Sequence, residues 1–331
     1  MRAIDTHFHW FPPSLAGHLL GSTGYPRSER AGDGYRIHYN SGKLTTGLSA
    51  VWLDLERGLD DSAAAAATAG ADVSVICTTG VLTGILDQLP AGQAVPVARD
   101  YNEQVARVQQ EHPGTFYGTA LIPLHDTGTA LAMLDEAVQE FGLLGVNLPA
   151  VTSDGPVDNP RLEDFYRRAQ ELGVPLILHP GDMAFGEMLA DYDNGLQLTI
   201  GRVLDTSVTV LRLIFSGILQ RHPDLKVVQT HGGGLLPYQA GRIDKNTSVP
   251  GLSARPSEYL KRMYVDTVCP AELTVETAVR FYGDRHVMYG TDYPCWHPSP
   301  AIKVLQNANL TAQQRELILH SNAESVFSLP G

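Results

Sequence analysis

Cysteine is scarce. The 331 residues contain three, Cys77, Cys269 and Cys295, with no paired spacing. This excludes a disulfide framework and a CxxC-type zinc finger, and it fits a reducing compartment, the cytoplasm. Long apolar runs are also missing. No stretch of about 18 uncharged apolar residues occurs, so no membrane span is expected. The opening MRAIDTHFHW carries Asp5 where the core of a signal peptide would be apolar. Positive charge is in deficit, with 24 Lys and Arg against 36 Asp and Glu, a net charge of −12. Such a chain repels phosphate backbones and anionic bilayers, so no nucleic acid and no membrane is expected as a partner. A small anionic substrate stays open, because a local field can oppose the global one. With 43% hydrophobic and 18% charged residues, intrinsic disorder is excluded.

What the chain does have is alternation. Short runs rich in Val, Ile, Leu and Tyr recur between longer amphipathic stretches. The candidate strands are 2–8, 73–78, 116–122, 145–148, 175–179, 226–231, 263–268 and 287–292. Most are continuously apolar, as strands buried on both faces are. Helical patterns lie between them. In 160–172, Asn159 suits the cap, Pro160 the first turn and Gly173 the stop. Further helices are expected over 129–141, over 203–220 and around the alanine run 63–69, with two short helices closing the chain. Strands alternating with helices in this number predict an α/β fold, a (β/α)8 TIM barrel. An open doubly wound sheet is the competing arrangement. Two regions, 10–53 and 183–201, exceed ordinary loop length. The first is an insertion after the first strand. Neither a repeat nor a linker divides the chain, so residues 1–331 are expected to form one domain.

The polar residues fall in a pattern. His7 and His9 close the first strand in DTHFH, and residues two apart on a strand point the same way. His179 ends the fifth candidate strand in LILHPGDM. His231 ends the sixth in VVQTHGGG, and Asp292 ends the eighth in MYGTDYP. Each alone has a plainer reading, as a strand end or a tight turn. In a barrel, however, strand C-termini converge on one pocket. Three imidazoles and a carboxylate suit one divalent ion, and a fourth imidazole is left for proton transfer. His297, just past Asp292, is a candidate substrate contact. The remaining histidines lack this placement and are expected at the surface or at helix ends.

The strings DTHFHWFPP, LILHPGDM, THGGGLLPYQAGRI, PSEYLKRMYVDTV and MYGTDYP together resemble the amidohydrolase superfamily. Within it they resemble the branch typified by 2-amino-3-carboxymuconate-6-semialdehyde decarboxylase. The strings run from residue 5 to residue 294, nearly the whole chain. The resemblance implies one metal ion, Zn2+ before Mn2+, held by His7, His9, His179 and Asp292. It implies His231 as general base. It also implies that Arg242 reaches a neighbouring subunit's site and grips a substrate carboxylate, hence a homodimer. Superfamily members with two metals often carry a bridging lysine on the fourth strand. Here GVNLPA offers Asn147 instead.

The departures bear on substrate. The branch has a second arginine shortly before the position of Trp52, where this chain has Thr45. Its HPWDM is HPGDM here, so Gly181 is expected to leave a roomier pocket. After DYP stand Cys295 and Trp296, the latter a candidate to stack on a substrate ring. The candidate site and the resemblance together imply a metal-dependent, non-oxidative decarboxylase of a small unsaturated or aromatic carboxylic acid, with Asp292 sharing the proton transfer. The alternative is a metal-dependent hydrolase of a lactone, amide or C–C bond on the same scaffold.

Overall fold

The structure is a computed structural model and describes residues 2–20, 22–152, 154–181, 186–189 and 195–329. Strand β1 spans Arg2–Phe8 and β2 Asp72–Cys77. Strand β3 comes in two pieces, Phe116–Gly118 and Ala120–Leu121. Then follow β4 Val146–Pro149, β5 Leu176–His179, β6 Val227–Gln229, β7 Tyr264–Asp266 and β8 Val287–Met288. One parallel sheet orders β1, β2 and the first piece of β3. Another runs from the second piece of β3 through β4, β5, β6 and β7 to β8. Thr119 joins the two pieces, its hydroxyl donating to Cys77 O at 2.5 Å. The chain after β8 returns beside β1. Thr6 N donates to Tyr289 O at 2.9 Å, Asp292 N to His7 O at 2.8 Å and His9 N to Tyr293 O at 2.8 Å. Phe8 and Tyr293 form a parallel bridge. These bonds close the ring, and the expected (β/α)8 barrel is the fold.

Side-chain alternation fills both faces of the ring. Ile4, Ile76, Ile177, Val228 and Met288 pack together in the lumen, floored by Val326 and Phe327 of the C-terminal helix Asn322–Phe327. Their neighbours Val75, Leu176, Leu178 and Val227 face outward into the helix layer. The register of β1 against β2 shifts between Asp5 and Phe8. A bulge of this kind re-aims a side chain. It lets His7 face the same interior as Ile4, although the two are an odd number of residues apart.

Three expectations need correction. The late strands end earlier than the apolar pattern suggests, so His231 and Asp292 stand on turns beyond β6 and β8. Backbone at φ +58 and +60, respectively, bends these turns. Region 10–53 is no mere loop: it carries an antiparallel sheet of Arg27–Ala31, Gly34–Tyr39 and Leu44–Leu48. The helix expected over 203–220 is two, Arg202–Phe215 and Ile218–Arg221, broken at Gly217 with φ +80. Elsewhere the cap signals hold. Asn159 accepts from Arg161 N, and Gly173 ends Glu163–Leu172 at φ +68. Of the region 183–201, residues 183–185 and 190–194 lie outside the described residues. Among the described residues no helix is long and apolar enough to cross a membrane.

Candidate metal centre and active site

The barrel brings four of the singled-out side chains to one point. One ligand atom each from His7, His9, His179 and Asp292 lies within 4.8 Å of every other. All four residues are buried, at 0, 2, 3 and 5% exposure. Each imidazole is anchored through Nδ1. His7 Nδ1 meets Asp266 Oδ2 at 2.6 Å, His9 Nδ1 meets Thr78 O at 3.0 Å and His179 Nδ1 meets Pro180 O at 3.0 Å. An oxygen acceptor behind Nδ1 keeps the proton there and turns the Nε2 lone pair forward. The three Nε2 atoms therefore face inward together.

Asp292 sits opposite them. Its Oδ1 lies 3.0 Å from His9 Nε2 and 3.3 Å from His7 Nε2. His179 Nε2 is buried with no hydrogen-bond partner among the described residues. A buried nitrogen left bare costs free energy unless something binds it. Inward imidazole nitrogens with one carboxylate are the donor set of a divalent cation. The residues present thus fit a metal ion.

The electrostatics agree for His9 and His179 but not for His7, which Asp292 and Asp266 raise to about 10 against burial, so a bound cation must displace a proton there. Burial lowers the affinity of His9 for a proton, and the charge on His7 lowers it further, outweighing the hydrogen bond to Asp292. Burial, then the charges on His7, His9 and His231, hold His179 well below the usual imidazole range. Neutral imidazoles are what a metal requires. Burial pushes Asp292 up, but the charge on His7 and hydrogen bonds from the surrounding imidazoles hold it well below the usual carboxylate range.

His231 stands beside this group and not in it. Its Nε2 is 3.7 Å from Asp292 Oδ2, and its Nδ1 is 3.0 Å from Thr230 Oγ1. Its ring centroid is 5.2 Å from that of His7 and 5.4 Å from that of His179. Asp5 ties the two ends of the site together. It accepts from His7 N at 3.0 Å, from Thr291 N at 3.1 Å and from Thr291 Oγ1 at 2.5 Å. Burial raises its pKa to about 6 against those bonds. Gly290 makes the close approach possible, since a Cβ there would lie 3.0 Å from Cβ of both Asp266 and His7.

Asn147, the second residue of β4, has its own work. It donates to Thr119 Oγ1 and Ala120 O and accepts from Thr79 N, tying β2, β3 and β4. Trp52 stacks on His9 with centroids 5.7 Å apart, and on Phe11 at 5.4 Å. A cavity of about 410 Å³ lies beside the turn after β8, lined by Thr267, Val268, Thr291, Cys295, Trp296 and His297. Trp296 is 43% exposed there. His297 has a second task, because its Nδ1 accepts from Ser299 N and caps helix Pro298–Asn307. Arg242 is exposed on helix Leu236–Asn246 and is no part of the cluster. Gly181 is buried against the backbone of Gly84, whose added Cβ would lie 2.9 Å from Gly181 Cα.

Sequence reasoning passed over Asp5, Asp266 and the carbonyls of Thr78 and Pro180. The two aspartates stand in DTHFH and PSEYLKRMYVDTV. The carbonyls leave no mark in a sequence.

The amidohydrolase family model matches residues 4–329. The chain belongs to the amidohydrolase family. It is 29% identical over 229 residues to a 2-amino-3-carboxymuconate-6-semialdehyde decarboxylase of Dictyostelium discoideum, covering 67% of this chain and 63% of that relative. It is 27% identical over 269 residues to a gamma-resorcylate decarboxylase of Rhodococcus jostii, covering 72% of this chain and 81% of the relative. Among solved structures it is similar to a dihydroxybenzoic acid decarboxylase of Polaromonas sp. JS666 with bound manganese and the inhibitor 2-nitroresorcinol. That match has a TM-score of 0.77 at 23% identity and covers 99% of this chain and 97% of the other. For an amidohydrolase, the position of the cluster at the C-terminal mouth of the barrel is where the fold places its chemistry.

Proposed function

We propose that this amidohydrolase is a metal-dependent, non-oxidative decarboxylase acting on a small unsaturated or aromatic carboxylic acid. The observation that carries the reading is the convergence of His7, His9, His179 and Asp292 with His231 just outside it. The decarboxylase names of the relatives support the same reaction class.

His7, His9, His179 and Asp292 would hold a single divalent ion. Zinc is the first expectation for this donor set and manganese the second. When bound, such an ion supplies a Lewis acid for the oxygens of an acidic substrate. The chain's own groups do the rest. His231 can hold and deliver a proton at Nε2, the atom that faces Asp292, while Thr230 Oγ1 lies beside Nδ1. Asp292, with Oδ2 toward His231, shares that proton transfer. The proton goes to the carbon bearing the carboxylate, the C–C bond breaks, and its electron pair stays with the organic product as carbon dioxide leaves. Trp296 and His297 are proposed to wall the cavity that takes the substrate's apolar part. Arg242 is proposed to pair with a substrate carboxylate in a second copy, its fork matching both oxygens. The assembly is then a homodimer, each chain one domain, in the cytoplasm.

The test is product analysis. Zinc- or manganese-loaded protein is incubated with a panel of hydroxylated aromatic and unsaturated acids. Release of carbon dioxide with a product one carboxylate shorter is the expected result. Addition of water to a lactone or amide panel, with no carbon dioxide from any acid, would establish a hydrolase instead.

A further inference from the structure

Asp266 is outside the ligand set, yet it is bonded to both halves of the site. It is 1% exposed and is the last residue of β7. Its Oδ2 lies 2.6 Å from His7 Nδ1. Its Oδ1 accepts from Gly232 N and from Val268 N, each at 3.0 Å. One carboxylate therefore spans the strand that carries His7, the turn that carries His231, and the start of the next loop. The other two inward imidazoles rest on neutral carbonyls of Thr78 and Pro180. His7 alone rests on a carboxylate.

Only a group that accepts at both oxygens satisfies these three donors. An amide at this position has one oxygen and one NH2. With the NH2 toward His7, Nδ1 must become an acceptor, the ring proton moves to Nε2, and the inward lone pair is lost. With the NH2 toward the backbone, Gly232 and Val268 N–H both face a donor. The Gly232 turn has little slack, since its φ is +61 and an added Cβ would lie 2.9 Å from Cys269 Sγ. His231 is its direct neighbour.

We propose that Asp266 is a positioning residue that fixes the His7 tautomer and, through Gly232, the placement of His231. One side chain then sets both metal affinity and the place of the proton donor. The inference rests on the reading of His7 as a ligand.

The experiment is a competition titration of zinc against a chromogenic chelator, on wild type and on Asp266→Asn, with long-range ¹H–¹⁵N spectra of histidine in the zinc-loaded wild type. Wild type should bind one zinc per chain, and the variant should lose about 10–100-fold in affinity, the usual effect of removing such a partner. The wild-type spectrum, with His7 assigned by a His7→Gln sample, should show its proton on Nδ1. Wild type that binds no zinc would overturn the ligand reading, and this inference with it. Tight wild-type binding with an unchanged Asp266→Asn affinity would overturn the inference alone. If the variant does not fold, the wild-type spectrum decides: a His7 proton on Nε2 refutes the positioning role, and one on Nδ1 supports it.

Discussion

Asp292 Oδ1 lies 3.0 Å from His9 Nε2, although 283 positions separate the two residues. The contact exists because the barrel closes last strand against first, with His9 N bonded to Tyr293 O. Site and closure are thus one feature, and changes at either residue act on both.

Replacing His9 by Ala removes one inward nitrogen and leaves Asp292 Oδ1 short of its nearest partner. The variant should fold and purify without metal, as measured by elemental analysis. Full metal occupancy would refute its role as a ligand.

His231→Ala leaves the four-atom group whole. Metal content should match wild type while turnover falls at least ~10²-fold, the scale of a lost acid–base group. A near-normal rate would remove His231 from the chemistry.

Arg242 is exposed, and its proposed role lies in a second copy. Mixing Arg242→Ala chains with His9→Ala chains should restore part of the activity that each lacks alone. If no mixture regains activity, the arginine acts only on its own chain or not at all.

Far from the site, Arg221 Nε and Nη2 each donate to Glu163 at 2.8 Å, and His222 Nε2 lies 2.9 Å from the same carboxylate. The bonds from Arg221 and then His222 outweigh burial and lower Glu163 from 4.5 to about 2. A lowered carboxylate stabilises the fold above its unfolded value and loses that contribution as pH falls from about 4.5 through about 2. The side chain is 38% exposed, so solvent screening keeps the effect to about 1 kcal/mol or less. Glu163→Gln should melt below wild type at pH 7, and thermal scans should show the gap closing by pH 2–3. A gap independent of pH would contradict the assignment.

Much of this was legible in the sequence. The apolar runs located the barrel strands because strands buried on both faces need continuous hydrophobic residues. The histidines stood out because they ended those runs. The insertion sheet was missed because Arg27–Ala31 and Leu44–Leu48 are short and largely polar. Their pairing depends on the hairpins that join them to Gly34–Tyr39. His222 was expected at the surface or at a helix end; it does end helix Ile218–Arg221, but it is buried against Glu163, a partner 59 positions away. Asp266 was passed over because an aspartate at a strand end is ordinary until the opposite strand is in place.

The most direct test of the account is zinc titration of chelator-stripped wild-type protein by calorimetry, with elemental analysis of the product. The account requires one zinc per chain, and loss of that uptake in Asp292→Ala. Absence of stoichiometric uptake, or equal uptake in the variant, would contradict it.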